Sequence, residues 1–364
     1  MRCVISIIIL LNSLLLFGQT PANDPHWDLV WQDDFNTLNT NIWKVKNNFD
    51  HYGGEPQVYT SRTDNVFIDN GNLVLRVRNE NYSCPQPAIN QWGCARQNNT
   101  GQLYNYTSGW VESKQDYNTK YGYIEARIKL PYGHGFWPAF WTFVGDGVPY
   151  NTNAGEIDIF EMLGSEPTST ITTNVHHDYC SPSRPDYNNG NCSNLPSDYL
   201  ELTPTGFSWD GTWHTYGIEW SPSKLIWYID GIPSRVYHQT GQTDLATGMP
   251  MYPVDPVRII LNLALEPWSP PNSSTPFPSD MRVDYVRTYK LDNDCNANLI
   301  ACNYNYSSHD NKVKKNIKIG TEGCINSLSN GDNVYLRASE GITINGDFTV
   351  PTGAQLYLDV NTCY

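Results

Sequence analysis

Short β-prone runs, broken repeatedly by Gly, Asn, Asp and Pro, set the strongest limit on what this chain can become. They are Val66–Ile68, Leu73–Arg78, Tyr121–Leu130, Ala139–Phe143, Glu156–Met162, Thr170–His176, Trp213–Trp220, Lys224–Ile229, Val257–Leu263 and Met281–Lys290. Most alternate in polarity or carry β-branched residues, and helix signals are scarce. Asp230-Gly231 and Asn70-Gly71 supply the left-handed turn chemistry of tight hairpins. Many short strands joined by long polar loops predict an all-β fold, a sandwich of jelly-roll type.

The pattern holds from about residue 25 to 291 and then changes. Residues 292–316 are rich in Asn, Asp, Ser and Lys and read as a linker. Residues 317–364 regain strand character at Asn333–Arg337, Ile342–Ile344 and Ala354–Val360, which predicts a small all-β C-terminal module. No internal repeat is evident. So small a module has a thin core and needs a covalent staple.

At the other end, residues 1–18 combine Arg2, an apolar run from Val4 to Phe17 and the small Gly18. This is a secretory-signal pattern, and the run is too short for a membrane span. Of nine cysteines, only Cys3 lies in that segment. An even remainder in an exported chain suggests disulfides. Pairing nearest neighbours gives Cys84–Cys94, Cys180–Cys192 and Cys295–Cys302, leaving Cys324–Cys363; spacing alone does not fix connectivity, and buried free thiols are the alternative. The formal charge of −14 argues against a nucleic-acid partner, because phosphates require Lys and Arg. With 24 Tyr, 12 Trp and 11 Phe and only 16% charged residues, the composition suits an extracellular β-protein that stacks sugars.

One strand carries the chemistry. Gly155-Glu156-Ile157-Asp158-Ile159-Phe160-Glu161 sets three carboxylates among apolar residues. Glu156 and Asp158 share a face by simple alternation, whereas Glu161, five residues on, points away. A β-bulge at Ile159-Phe160 would return Glu161 to its companions. Two carboxyls roughly 5–5.5 Å apart suit a retaining glycosidase. A solvated edge strand would carry polar residues at 157, 159 and 160. A metal site is the other alternative, but no His lies within the run.

These residues resemble the active-site strand of glycoside hydrolase family 16 in its bulged form, the laminarinase, agarase and carrageenase branch. Tyr123-Ile124-Glu125-Ala126-Arg127, Phe136-Trp137-Pro138-Ala139-Phe140-Trp141, Trp213–Trp220, Leu261-Asn262-Leu263-Ala264 and Met281–Arg287 are similar to further family segments, in the same order. The resemblance implies a jelly-roll with a long concave substrate cleft over residues 25–291. It also implies endo-hydrolysis of a β-linked polysaccharide with retention, no cofactor for catalysis and no obligate protein partner.

Carried over residue by residue, Glu156 is the nucleophile, Glu161 the general acid/base and Asp158 the residue that orients the nucleophile. Glu55, Glu125, Arg127, Trp137, Trp141, His176 and Trp268 are expected along the cleft. Leu265-Glu266-Pro267-Trp268 stands where many laminarinase-like members carry Gly-Gly-x-Trp, a departure that leaves substrate identity open. Asp34, Gly71 and Asp284 match a structural calcium site of oxygen ligands. β-1,3-Glucan or mixed-linkage β-1,3-1,4-glucan is the expected substrate. The alternatives are a marine galactan (agar, porphyran or carrageenan) and a glycan-binding protein without catalysis.

Overall fold

The computed structural model describes residues 27–49, 55–83, 103–145, 155–176, 200–239 (without 203 and 205), 241, 250–309, 312–320, 323–360 and 363. The proposed signal segment, Cys84, Cys94, Cys180 and Cys192 lie outside them. No helix among the described residues is long and apolar enough to cross a membrane.

Two large sheets make the sandwich. The seven-stranded sheet runs, in spatial order, Leu200–Leu202, Ile171–His176, Glu156–Glu161, Phe136–Val144, Val257–Leu265, Trp110–Ser113 and Trp43–Val45. The ten-stranded sheet runs Ile232–His238, Lys224–Ile229, Trp213–Trp220, Gly122–Lys129, Ser279–Leu291, Asn72–Ser83, Leu103–Ser108 and Gln57–Tyr59. Trp27–Asp33 is added beside Ser279–Leu291, and Val66–Asp69 beside Asn72–Ser83. Apart from Gln57–Tyr59 against Leu103–Ser108, the described pairings in these sheets are antiparallel. The jelly-roll expectation holds.

Alternation explains the layering. Ile124, Ala126 and Ile128 of the larger sheet and Phe140, Ile157 and Phe160 of the smaller one fill a common core. Burying each Phe or Ile there contributes about 1.5–3 kcal/mol. The intervening residues of the smaller sheet face outward and form the floor of a cleft.

The segment read as a linker is not one. Asn293–Ala301 is a strand, paired in parallel with Val313–Ile319. Val313–Ile319 pairs in parallel with Asn333–Ile344, which does the same with Gln355–Val360. The strands recur roughly twenty residues apart, the spacing of a small solenoid. Asn326–Ser327 pairs with Phe348–Thr349 on a second side. The recurrence escaped the sequence reading because the first rung, NDCNANLIA, is mostly polar.

The disulfides differ from the nearest-neighbour expectation as well. Cys295 joins Cys363 and Cys302 joins Cys324, instead of Cys295–Cys302 and Cys324–Cys363. Stacked rungs bring distant residues together, whereas Cys295 and Cys302 stand near opposite ends of one extended strand, Asn293–Ala301, out of disulfide reach of each other. The module packs on the outer face of the ten-stranded sheet, away from the cleft. Arg337 lies over the Trp27 ring at 5.6 Å, Lys224 Nζ meets Asp359 Oδ1 at 3.6 Å, and Val313 joins Trp27, Tyr123, Tyr289 and Leu291.

Candidate active site

The acidic strand Glu156–Glu161 carries the bulge that its spacing demands. Against Ile171–His176, Glu156 faces His176, Asp158 faces Asn174 and Glu161 faces Thr172. Three residues of one strand thus advance against two of its neighbour between Asp158 and Glu161. Against Phe136–Val144, Asp158 opposes Trp141, Phe160 opposes Phe140 and Glu161 opposes Ala139. The extra residue restores Glu161 to the face of Glu156 and Asp158. Ile159 and Phe160 stay buried.

The bulge carbonyl is secured from the opposite sheet: buried Trp227 donates its Nε1–H to Asp158 O at 2.8 Å. Thr172 Oγ1 donates to Glu161 O at 3.1 Å. Trp227→Phe leaves that buried carbonyl without its donor. A loss of about 1–3 kcal/mol in stability is expected, from chemical denaturation. kcat should fall more than KM rises, because the bulge sets the acids and not the aromatic side chains of the cleft.

A cleft of about 400 Å³ is lined by Glu55, Trp110, Trp137, Trp141, Glu156, Asp158, Glu161, Asn174, His176, Asn262 and Trp268, with Ala139, Ala264 and Pro267. Trp137 Nε1 donates to Glu161 Oε1 at 2.8 Å, and its ring centroid lies 4.9 Å from that of Trp268. Trp268 is 59% exposed, and so presents a stacking face to solvent. Trp141 is buried and donates to Asn262 Oδ1 at 2.7 Å, which makes it part of the floor. From there the hydrogen bonds run on: Asn262 Nδ2 to Tyr59 Oη at 3.2 Å, Gln57 Nε2 to Tyr59 Oη at 3.0 Å, and Gln57 Nε2 to Glu55 Oε2 at 2.6 Å.

His176 Nε2 lies 3.4 Å from Glu156 Oε1, 3.1 Å from Asp158 Oδ2 and 3.0 Å from Asn174 Nδ2. Burial raises the Asp158 carboxyl above the usual carboxylate range. Glu161 is raised too, first by burial and then by the charge of Asp158, against a smaller lowering by the Trp137 N–H and His176. The pair therefore holds a proton well above the pH at which free carboxyls release theirs.

Glu125 and Arg127 do not reach the cleft. They do share a face, as alternation requires, but their strand belongs to the ten-stranded sheet and the face is its outer one. Glu125 accepts from Tyr285 Oη at 2.8 Å, and Arg127 Nη1 pairs with Asp284 Oδ2 at 2.7 Å while its guanidinium lies over Trp213.

That pairing bears on calcium. Asp284 is engaged by Arg127, whereas Asp34 accepts from Arg287 Nη2 at 3.2 Å and from Gln32 Nε2 at 3.0 Å. Each carboxylate is thus paired with a guanidinium, and a calcium ion held by Asp34, Gly71 and Asp284 would have to displace both.

Trp110, Asn174 and Asn262 belong to the cleft but were not singled out from sequence. Asn174 was within reach, being two residues before His176 on one strand. Trp110 offered no such signal.

The Glu266 departure has a structural job. Its buried carboxylate accepts from Ser165 N at 2.9 Å and Ser165 Oγ at 2.6 Å, and Glu266 N donates to Gly135 O at 2.9 Å. These bonds tie the loop after the catalytic strand to the segment that carries Trp268. Glu266→Ala removes two charge-assisted bonds worth about 1.5–3 kcal/mol each. A several-fold rise in KM for polymeric substrate, with a smaller change in kcat, is the expected kinetic result.

Comparison with known proteins gives a consistent relationship. The family model for glycosyl hydrolases family 16 matches residues 55–287. Glucan endo-1,3-beta-glucosidase A1 of Niallia circulans is 32% identical over 283 residues; the match spans 72% of this chain and only 38% of that relative. The endo-beta-1,3-glucanase structure from Pyrococcus furiosus superposes with a TM-score of 0.57 at 32% identity, covering 73% of this chain and 95% of that one. The laminarinase catalytic domain from Thermotoga maritima gives 0.56 at 31% identity, covering 74% and 99%.

Proposed function

The chain belongs to glycosyl hydrolases family 16, and from that premise we propose that it is a retaining endo-hydrolase of β-1,3-glucan. The observation that carries the proposal is the bulge that gathers Glu156, Asp158 and Glu161 on the floor of one open cleft. Support for the substrate comes from the three relatives described above, which are named for β-1,3-glucan or laminarin.

In this reading Glu156, as carboxylate, attacks the anomeric carbon while Glu161 protonates the departing glycosidic oxygen. A glycosyl ester forms on Glu156. Glu161, now ionised, takes a proton from water, and the water's oxygen displaces Glu156 with a second inversion, so configuration is retained overall. Asp158, beside both, orients the nucleophile through the His176 contact and biases the proton toward Glu161. Trp137 and Trp268 hold pyranose rings by their C–H faces, and Asn174, Asn262 and Glu55 meet hydroxyls. Export follows from the apolar run at residues 4–17.

A sulfated galactan is disfavoured, since no Lys or Arg occurs among the described cleft residues to meet sulfate. The test is reducing-end release from laminarin, barley β-glucan, agarose, porphyran and carrageenan. Laminarin should be cleaved fastest, with barley β-glucan next. Turnover confined to a galactan would refute the substrate assignment.

A further inference from the structure

We propose that Glu156, Asp158 and His176 form a binding site for a first-row divalent cation of the zinc or copper kind, and that an ion there blocks the nucleophile. The inhibitory half rests on the function proposed above; the site itself rests on geometry.

Within the acidic strand there is no imidazole. Strand pairing supplies one, because His176 stands directly opposite Glu156. One ligand atom from each of the three residues falls within 4.8 Å of the others. The imidazole Nε2 lies 3.4 Å from Glu156 Oε1 and 3.1 Å from Asp158 Oδ2. Zinc bonds of about 2.0–2.1 Å in a tetrahedron put ligand atoms about 3.3 Å apart. These two edges are therefore already near the required length.

A second observation points to a cation. Asp158 is only 2% exposed, yet its Oδ2 has no hydrogen-bond partner and is aimed at His176 Nε2. The Asn174 amide nitrogen lies 3.0 Å from the same Nε2, a contact whose direction depends on the imidazole tautomer. In the tautomer that leaves Nε2 without a hydrogen, its lone pair and the two carboxyl groups converge on one point, where a metal ion can accept all three.

The donor set selects the metal. One imidazole with two carboxylates suits zinc and copper, whereas magnesium and calcium prefer all-oxygen shells. His176 is 51% exposed toward the cleft, so an ion can enter and keep water on its remaining position. Once there, it occupies the oxygen of Glu156 that would attack the anomeric carbon. Ion and glycan then exclude one another.

Isothermal titration calorimetry of the full chain, freed of metal with a chelator, tests the site with zinc chloride and magnesium chloride. Zinc is expected to bind with one-to-one stoichiometry and magnesium to give no saturable heat. His176→Gln should weaken zinc at least tenfold. Glu156→Gln, which keeps the side-chain volume, should also weaken it and guards against a folding defect in the first variant. Initial rates on laminarin should show zinc competitive with substrate and reversed by chelator. Laminarin cleavage without saturable zinc binding, or binding unchanged in both variants, overturns the inference and leaves the proposed function standing. Saturable binding lost in both variants, in a chain that cleaves no β-glucan, upholds the site and overturns the function.

Discussion

Glu156→Gln is expected to lower kcat on laminarin by about 10⁴-fold or more, with glycan binding nearly intact. Gln matches Glu in shape, so the cleft keeps its form. The amide cannot form the glycosyl ester, and no described carboxylate stands in its place on the strand: Asp158 is buried beneath, and Glu161 faces Thr172 beyond the bulge. The check is steady-state kinetics beside a binding titration on the same preparation. Activity within tenfold of the parent would mean that the nucleophile lies elsewhere. Lost binding together with lost turnover would point to a damaged fold.

The second large effect concerns Glu161. Removal of a general acid typically costs 10²–10⁴-fold. For Glu161→Ala the loss should shrink sharply on aryl glucosides whose phenolate leaves without protonation, and azide should restore turnover of the glycosyl intermediate by replacing water. The pH dependence follows from the raised carboxyl. A group held above its ordinary value by burial and by the neighbouring Asp158 stays protonated, and competent as an acid, until the pH passes that raised value. Activity should therefore persist above the ordinary Glu range and fall as pH rises through the Glu161 titration. Asp158→Asn removes the negative neighbour, so the alkaline limb of kcat/KM should move to lower pH. A limb that stays in place, or moves upward, contradicts the assigned coupling.

The sequence made the sandwich and its reactive strand legible for physical reasons. The strands lining the core are strongly apolar and alternating, as in Val257–Leu265 and Gly122–Lys129. The bulge was legible because three acids on one strand can share a face only if the count between Asp158 and Glu161 is broken. Which sheet each strand joins was not. Tyr123-Ile124-Glu125-Ala126-Arg127 alternates as a cleft strand would, but alternation tells which residues share a face and not which layer receives the strand. Glu125 and Arg127 were misplaced for that reason. Trp27–Asp33 escaped because it is mixed in polarity and pairs with a single strand, and Trp43–Val45 because it is three residues long at a sheet edge. The last two C-terminal rungs were legible as strands, but Asn293–Ala301 and the parallel order of the stack were not, because the first rung is mostly polar and parallel stacking joins residues far apart. The same nonlocality defeated the disulfide pairing and set His176, expected along the cleft, directly opposite Glu156 on the neighbouring strand.

The central claim is that Glu156 becomes covalently bonded to the sugar in a double displacement. Incubation with a 2-deoxy-2-fluoro glucosyl substrate carrying a good leaving group, followed by peptide mass spectrometry, tests it most directly. The account predicts a fluoroglycosyl label on the peptide containing Glu156, with the fragment ions placing it on that side chain. A label on another residue, or an inverted anomeric product by NMR with no adduct, would contradict it.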